Sequence, residues 1–251
     1  HVDDNQLLAE NNSINQNTIT GNGNAGVFYL QNDYTYDDDI VINALYNWWG
    51  DETGPEHATL NIGGQGNAVS DNVNFSPWLT SDDPESEHLA YNINYTGSID
   101  GTTGATSAEI EQTVGDNLDV TIPSGTIILD GSGYPLSDLT VVTQNNNTIT
   151  PPANAAAIGV IYEWGPAGAT FNPYIVLEFH YADTDIPAGY VETDLTIMYY
   201  DTTTSKWVEL QSIVDTVNNI VRAHVTHFSS FSLFAATPPT TTTTVVSTTT
   251  Q

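Results

Sequence analysis

Asn47-Trp48-Trp49-Gly50, running on through Gly54-Pro55 to Pro77-Trp78-Leu79, is the stretch on which the reading of the whole chain turns. Two adjacent tryptophans bring the largest apolar side-chain surfaces a chain can bury. A glycine follows at once, then an acidic turn and a Gly-Pro step, so a strand ends here and reverses. The sequence before it is Asn-rich and repetitive; the sequence after Trp78 is acidic and then a different kind of β grammar. The stretch therefore reads as the place where a solenoid is closed off, with Trp48 or Trp49 and Trp78 buried at its end.

Working back from it, Asn11 to Leu30 places Ile14, Ile19 and Val27 to Leu30 between asparagines and glycines. Asn and Gly tolerate positive φ and make tight corners, so each apolar position marks a short inward-facing strand. Similar phrases return at Asp39 to Leu45 and at Asn67 to Phe75. Repetition at about 20 to 30 residues is the signature of a solenoid, and corner asparagines in such a coil can stack as hydrogen-bonded ladders. These residues resemble the last coils of a right-handed parallel β-helix of the NosD-like repeat class, found in secreted and cell-surface proteins. The resemblance covers roughly residues 7 to 79, and the phrase at 47 to 55, with Gly64-Gln65-Gly66-Asn67 and Pro77-Trp78-Leu79, is similar to the usual ending of those proteins. Residues 1–79 are thus expected to be terminal coils. Only two or three are present, about the minimum for a solenoid, and the chain opens on His1, so a processed chain or a fragment of a longer helix is expected.

Working forward, Ser81-Asp82-Asp83-Pro84-Glu85-Ser86-Glu87 has no apolar residue, and residues 80–90 read as an acidic linker. From Tyr91 the strands lengthen. Val120 to Ile122 reads as a strand, Pro123-Ser124-Gly125 as a turn and Thr126 to Asp130 as a second strand. Further strands are expected at Leu139 to Val142, Ile158 to Trp164, Tyr174 to Tyr181, Leu195 to Tyr200, Lys206 to Leu210, Ile220 to Val225 and Phe228 to Phe234. The only helix-like stretch of any length is Ser107 to Val114. This spacing of turns predicts an antiparallel β-sandwich over residues 91–236. Gly165 to Phe171, Asp194-Leu195, Tyr199-Tyr200-Asp201, Trp207-Val208 and Thr226-His227-Phe228-Ser229 resemble a module at the ends of archaeal and bacterial surface proteins. More distantly they are similar to ZU5-type sandwiches, whose known role implies protein interaction. The expected fold class is all-β: a short right-handed parallel β-helix segment, an antiparallel sandwich and an extended Thr-rich tail.

Charge narrows the function. Lys206 and Arg222 stand against 31 acids, giving a net charge of −29 over 251 residues. A field of that sign disfavours nucleic acids, anionic membranes and polyanionic substrates, and favours cations or high salt. The 39% hydrophobic content is that of a folded chain. There is no cysteine, hence no disulfide or thiolate metal site. No run reaches the ~20 apolar residues of a membrane-spanning helix.

Candidate sites are few. Asp37-Asp38-Asp39, preceded by Asp33, is a candidate Ca²⁺ cluster, because hard cations want several oxygens; acidic loops are also commonly just solvated. Asp51, Glu52 and Glu56 pose the same choice. His224 and His227, three apart on a strand, point to opposite faces and cannot chelate together. His180 reads as packed and hydrogen-bonded within an apolar strand. The solenoid part contains neither Lys nor Arg to neutralise a uronate, and no two acids stand at a recognisable working separation, so no catalytic residues are assigned and no enzyme is expected. Asn11, Asn74, Asn94 and Asn146 head Asn-x-Ser/Thr sequons and are candidate glycan sites.

The tail, residues 237–251, runs from Thr237-Pro238-Pro239 into Thr240 to Thr244 and Thr248 to Thr250. It reads either as a glycosylated extended stalk or, since Thr and Val favour strands, as a strand docked on its own or another subunit. The function expected from these features is a non-enzymatic extracellular surface glycoprotein, a self-assembling subunit of an S-layer, sheath or extracellular filament. The rival is a carbohydrate-binding or polysaccharide-degrading protein whose acids line a sugar groove.

Overall fold

The computed structural model describes residues 13–20, 26–27, 41–82, 89–144 and 150–237. In chain order its strands are Ile42–Asn43 (β1), Val73–Asn74 (β2), Trp78–Leu79 (β3), Leu89–Asn94 (β4), Ile110–Val114 (β5), Leu118–Ile122 (β6), Ile127–Leu129 (β7) and Asp138–Gln144 (β8). There follow Ala155–Gly165 (β9), Thr170–His180 (β10), Leu195–Asp201 (β11), Lys206–Glu209 (β12), Ser212–Asp215 (β13), Ile220–His227 (β14) and Ser230–Ala236 (β15). Helix among the described residues is confined to single 3-10 turns such as Asp183–Asp185 and Glu192–Asp194. None is long and apolar enough to cross a membrane. The protein is all-β.

Two antiparallel sheets dominate. One has six strands, in the order β13-β14-β10-β6-β5 with β7 also on β10; the other has seven, in the order β12-β11-β15-β9-β8-β4-β3. Period-two alternation explains how they face each other. In β6, Leu118, Val120 and Ile122 are buried while Asp119 and Thr121 turn outward. From the other sheet, Val141, Tyr162, Trp164, Ile197, Phe231 and Leu233 meet Leu118, Val120, Leu177, Phe179 and Val221 in one continuous core. The aromatic members contact edge-on, as the ring quadrupole favours: Tyr162 on Phe179 with centroids 5.5 Å apart, Phe171 on Phe228 at 4.8 Å.

The first part behaves differently. β1 and β2 pair in parallel, and isolated parallel bridges join Ser13 to Asn43, Thr18 to Trp48 and Val27 to Val69. A two-stranded parallel sheet is what these pairings amount to, and a complete parallel β-helix is not shown. Trp49 and Trp78 are buried, with Ile19, Val27, Ala44, Val69, Val73 and Phe75, in a second core. Asn47, fully buried, is its polar pin. Its Oδ1 accepts from the Asn17 backbone N–H at 2.8 Å and from Asn17 Nδ2 at 3.3 Å; its Nδ2 donates to the carbonyls of Ala44, at 2.7 Å, and Ile14. Every lone pair and proton the buried amide offers is used, which is what makes its burial tolerable.

The two parts share one hydrogen-bonded edge. β3 pairs antiparallel with β4, placing Trp78 opposite Ala90 and Leu79 opposite Leu89. On its other side, the Leu79 N–H donates to the Asn47 carbonyl at 3.1 Å, and Tyr46 N–H to Pro77 at 2.7 Å. Ala90 and Val142, on the sheet face away from the sandwich core, close the second core from below. Leu89 and Ala90, assigned to the linker from sequence, are thus strand residues; residues 83–88 lie outside the described part. The helix-like reading of Ser107 to Val114 is corrected as well. Ile110–Val114 is β5, because its pairing with β6 over all five residues satisfies its backbone and buries Val114, outweighing local propensity.

Candidate metal centre

On the outward face of the six-stranded sheet, a single cross-strand row collects the chain's scarce chemistry. Register sets Thr113 opposite Asp119, Asp119 opposite Glu178, and Glu178 opposite Arg222. Directly opposed residues hold their Cβ atoms about 5 Å apart. His180, two residues beyond Glu178 on β10, projects from the same face. The buried residues on either side, Leu118, Val120, Leu177, Phe179 and Val221, anchor these backbones in the sandwich core, so the polar row stands on a rigid floor.

His180 Nε2 lies 2.8 Å from Asp119 Oδ2 and 3.6 Å from Glu178 Oε1. The three ligand-type atoms all lie within 4.8 Å of one another. Each carboxylate spends its other oxygen on an outer partner. Thr113 Oγ1 donates to Asp119 Oδ1 at 2.6 Å, and Arg222 Nε donates to Glu178 Oε2. The Glu178 carboxylate, by accepting that hydrogen bond, raises the Arg222 guanidinium further above its ordinary value. One of the chain's two strong bases is therefore committed to orienting a carboxylate. The side chains remain open to solvent, His180 being 37% and Asp119 41% exposed, and a groove lined by Glu111, Thr113, Thr121 and Glu178 runs alongside. Chemically the set offers one imidazole nitrogen and two carboxylate oxygens to a shared point.

Apart from His180, the residues singled out from sequence fall elsewhere. Asp37, Asp38 and Asp39, like Asn11 and Asn146, lie outside the described residues, as do residues 238–251 of the tail. Asp51 is tied locally: its Oδ1 accepts from the Thr53 hydroxyl at 2.6 Å and from the Thr53 N–H at 3.0 Å, which hold its carboxyl below the usual range. His224 stacks on Tyr174 with centroids 3.8 Å apart, whereas His227 packs edge-on against Tyr199 at 5.1 Å; the two rings have separate partners. Asn74 ends β2 exposed, and Asn94 ends β4 with Nδ2 donating to the Thr59 carbonyl at 3.1 Å. Both line one groove, with Val41, Leu60, Asn72, Ser76 and Asn92, where the first part meets β4.

His180 was expected to be hydrogen-bonded and packed. It is hydrogen-bonded, but it stands at the surface, because the burial alternation of β10 puts its even-numbered end positions outward. The available signal was Glu178-x-His180, two ligand types at strand spacing. What sequence could not supply was Asp119, brought alongside only by the strand order. No protein-family model and no curated protein matches the chain, so the NosD-like and ZU5-like resemblances rest on the residues that carry them.

Proposed function

We propose that this chain is a structural component of an extracellular surface, a subunit of an S-layer, sheath or filament, and that it is not an enzyme. In this reading residues 1–79 are the closing coils of a right-handed parallel β-helix. The steps from Ser13 to Asn43 and from Asn43 to Asn74 support it, since both pairs are parallel neighbours about one coil apart. The observation that carries the proposal is the shared edge. Leu79 is hydrogen-bonded to the parallel stack and paired with β4 of the sandwich, so backbone hydrogen bonds run without a break from one part to the other. A load-transmitting building block needs such a junction, whereas a binding domain on a tether does not.

The net charge of −29, the absence of cysteine and the Thr-rich tail fit a solvated outer surface. Glycans on Asn74 and Asn94 belong to the same reading and would fill the groove between the two parts. Self-association through the tail strand is the proposed route of assembly, because unpaired sheet edges accept an added strand. The rival, a carbohydrate-binding or polysaccharide-cleaving protein, would use that amide-lined groove for its sugar. Light scattering and negative-stain microscopy of the intact chain, run beside a glycan array and a polysaccharide panel, separate the two. Ordered assemblies without glycan affinity are expected. Saturable sugar binding or sugar release by a monomeric chain would replace this proposal with the rival.

A further inference from the structure

We propose that Asp119, Glu178 and His180 form a binding site for a divalent transition-metal ion of the zinc class. The donor set selects the ion. Calcium and magnesium prefer all-oxygen shells, while one imidazole with two carboxylates is a set that Zn²⁺ and its neighbours accept. Four-coordinate Zn²⁺ with bonds near 2.0–2.2 Å keeps its ligand atoms about 3.3 Å apart. The observed separations from His180 Nε2, 2.8 Å to Asp119 Oδ2 and 3.6 Å to Glu178 Oε1, bracket that value, so small side-chain rotations admit the ion.

The surroundings are organised as metal sites require. Thr113 and Arg222 each hold the distal oxygen of a ligating carboxylate and leave the proximal oxygen free to bind. Without an ion the proximal atoms meet in the His180–Asp119 hydrogen bond; on binding, the ion takes the place of the proton between them. Two carboxylates against one guanidinium leave the site with a net charge of about −1, on a chain whose total is −29, so a dication is drawn in by the local and the overall field alike. Three protein ligands leave a position for water, reached from the groove beside Glu111 and Thr121. The ion would clip β6 to β10 on the sheet face opposite the core. This site does not depend on the surface-protein reading and would exist under either function.

The test uses intact, tag-free protein stripped with a chelator and titrated with ZnCl₂ by calorimetry. One saturable ion per chain is expected, beyond weak nonspecific association with exposed acids, together with a higher melting temperature. His180→Ala and Glu178→Gln should each weaken that one-to-one binding at least tenfold while circular dichroism remains that of the parent. In the parent itself, one equivalent of Zn²⁺ should shift the ring resonances of His180, a readout that needs no variant. Absence of saturable binding, binding that both variants retain, or His180 resonances unmoved by one equivalent would each overturn the assignment.

Discussion

A Cβ built on Gly54 would stand 2.4 Å from Cε2 of Trp78, whose indole N–H donates to the Glu52 carbonyl at 3.1 Å. The glycine is therefore the floor on which the buried indole lies, and it also sits at φ +78. Gly125, at φ +83 with nothing within 4 Å of an added Cβ, shares the backbone demand without the contact. Gly125→Ala should cost about 1–2 kcal/mol for the left-handed conformation alone. Gly54→Ala should cost that and about 1–3 kcal/mol more for overpacking. Urea denaturation of both variants measures the difference; equal losses would mean that the indole moves aside freely.

Asn47 makes a second, independent test of the same core. Asn47→Ala would orphan the Ala44 carbonyl in a buried setting and the Asn17 N–H and Ile14 carbonyl in part-buried ones. The expected loss is about 3 kcal/mol, since each stranded group costs about 1–3 kcal/mol and neighbours relax in part. Asn15, whose Oδ1 accepts from the Leu45 N–H at an exposed position, is the control. Asn15→Ala should cost about 1 kcal/mol or less, because water replaces the lost partner.

Alkali should unfold the sandwich through its phenols. Burial pushes Tyr91 up to about 12, and burial raises Tyr95 and Tyr162 as well. The nearby Asp116 carboxylate adds to the shift at Tyr91 and Tyr162. A raised acid pKa in the folded state means that above pH about 10 the unfolded chain loses protons the folded chain keeps. Stability from these groups is complete below that pH and falls as the pH rises towards and through 12. Melting temperatures at pH 9, 10.5 and 12 should decline accordingly. Tyr91→Phe should flatten the decline; an unchanged slope would assign the alkaline loss to other groups.

Salt should act in the opposite sense. With 31 acids and two strong bases, self-repulsion is the dominant long-range term. Shortening the Debye length from about 30 Å at 0.01 M salt to about 3 Å at 1 M should raise the melting temperature by several degrees. Millimolar Ca²⁺ added at constant ionic strength asks a separate question, whether Asp37 to Asp39 bind it, and chelation should then reverse the gain. A melting temperature that ignores both would show acids spaced too far apart to repel.

How far the sequence foretold this molecule depends on the range of the interaction concerned. Alternation within Leu118–Ile122 or Ile220–His227 is local, and strands were legible there, as was the Pro123-Ser124-Gly125 turn between β6 and β7. Burial of Trp49 and Trp78 followed from their size and the glycines around them. β5 was misread because five residues carry little periodic signal and its pairing partner decides the matter. The candidate metal centre lay beyond reach for a different reason. Asp119 and Glu178 are 59 positions apart, and Arg222 is 44 further on. They meet only because β10 takes β6 on one side and β14 on the other, although β10 follows β9 of the opposite sheet in sequence. Strand order, which no local pattern encodes, built the row.

Leu79 is hydrogen-bonded on both of its sides, and that has a mechanical meaning. Tension applied across the chain reaches the sandwich through main-chain hydrogen bonds at Leu79 and through the second core, where the Trp78 indole shares burial with Ala90 of β4, not through a slack tether. The junction acts as a weld: were copies to assemble as proposed, bending stress would concentrate wherever one touches the next, and a lattice of such units would yield at its contacts before its bricks deform.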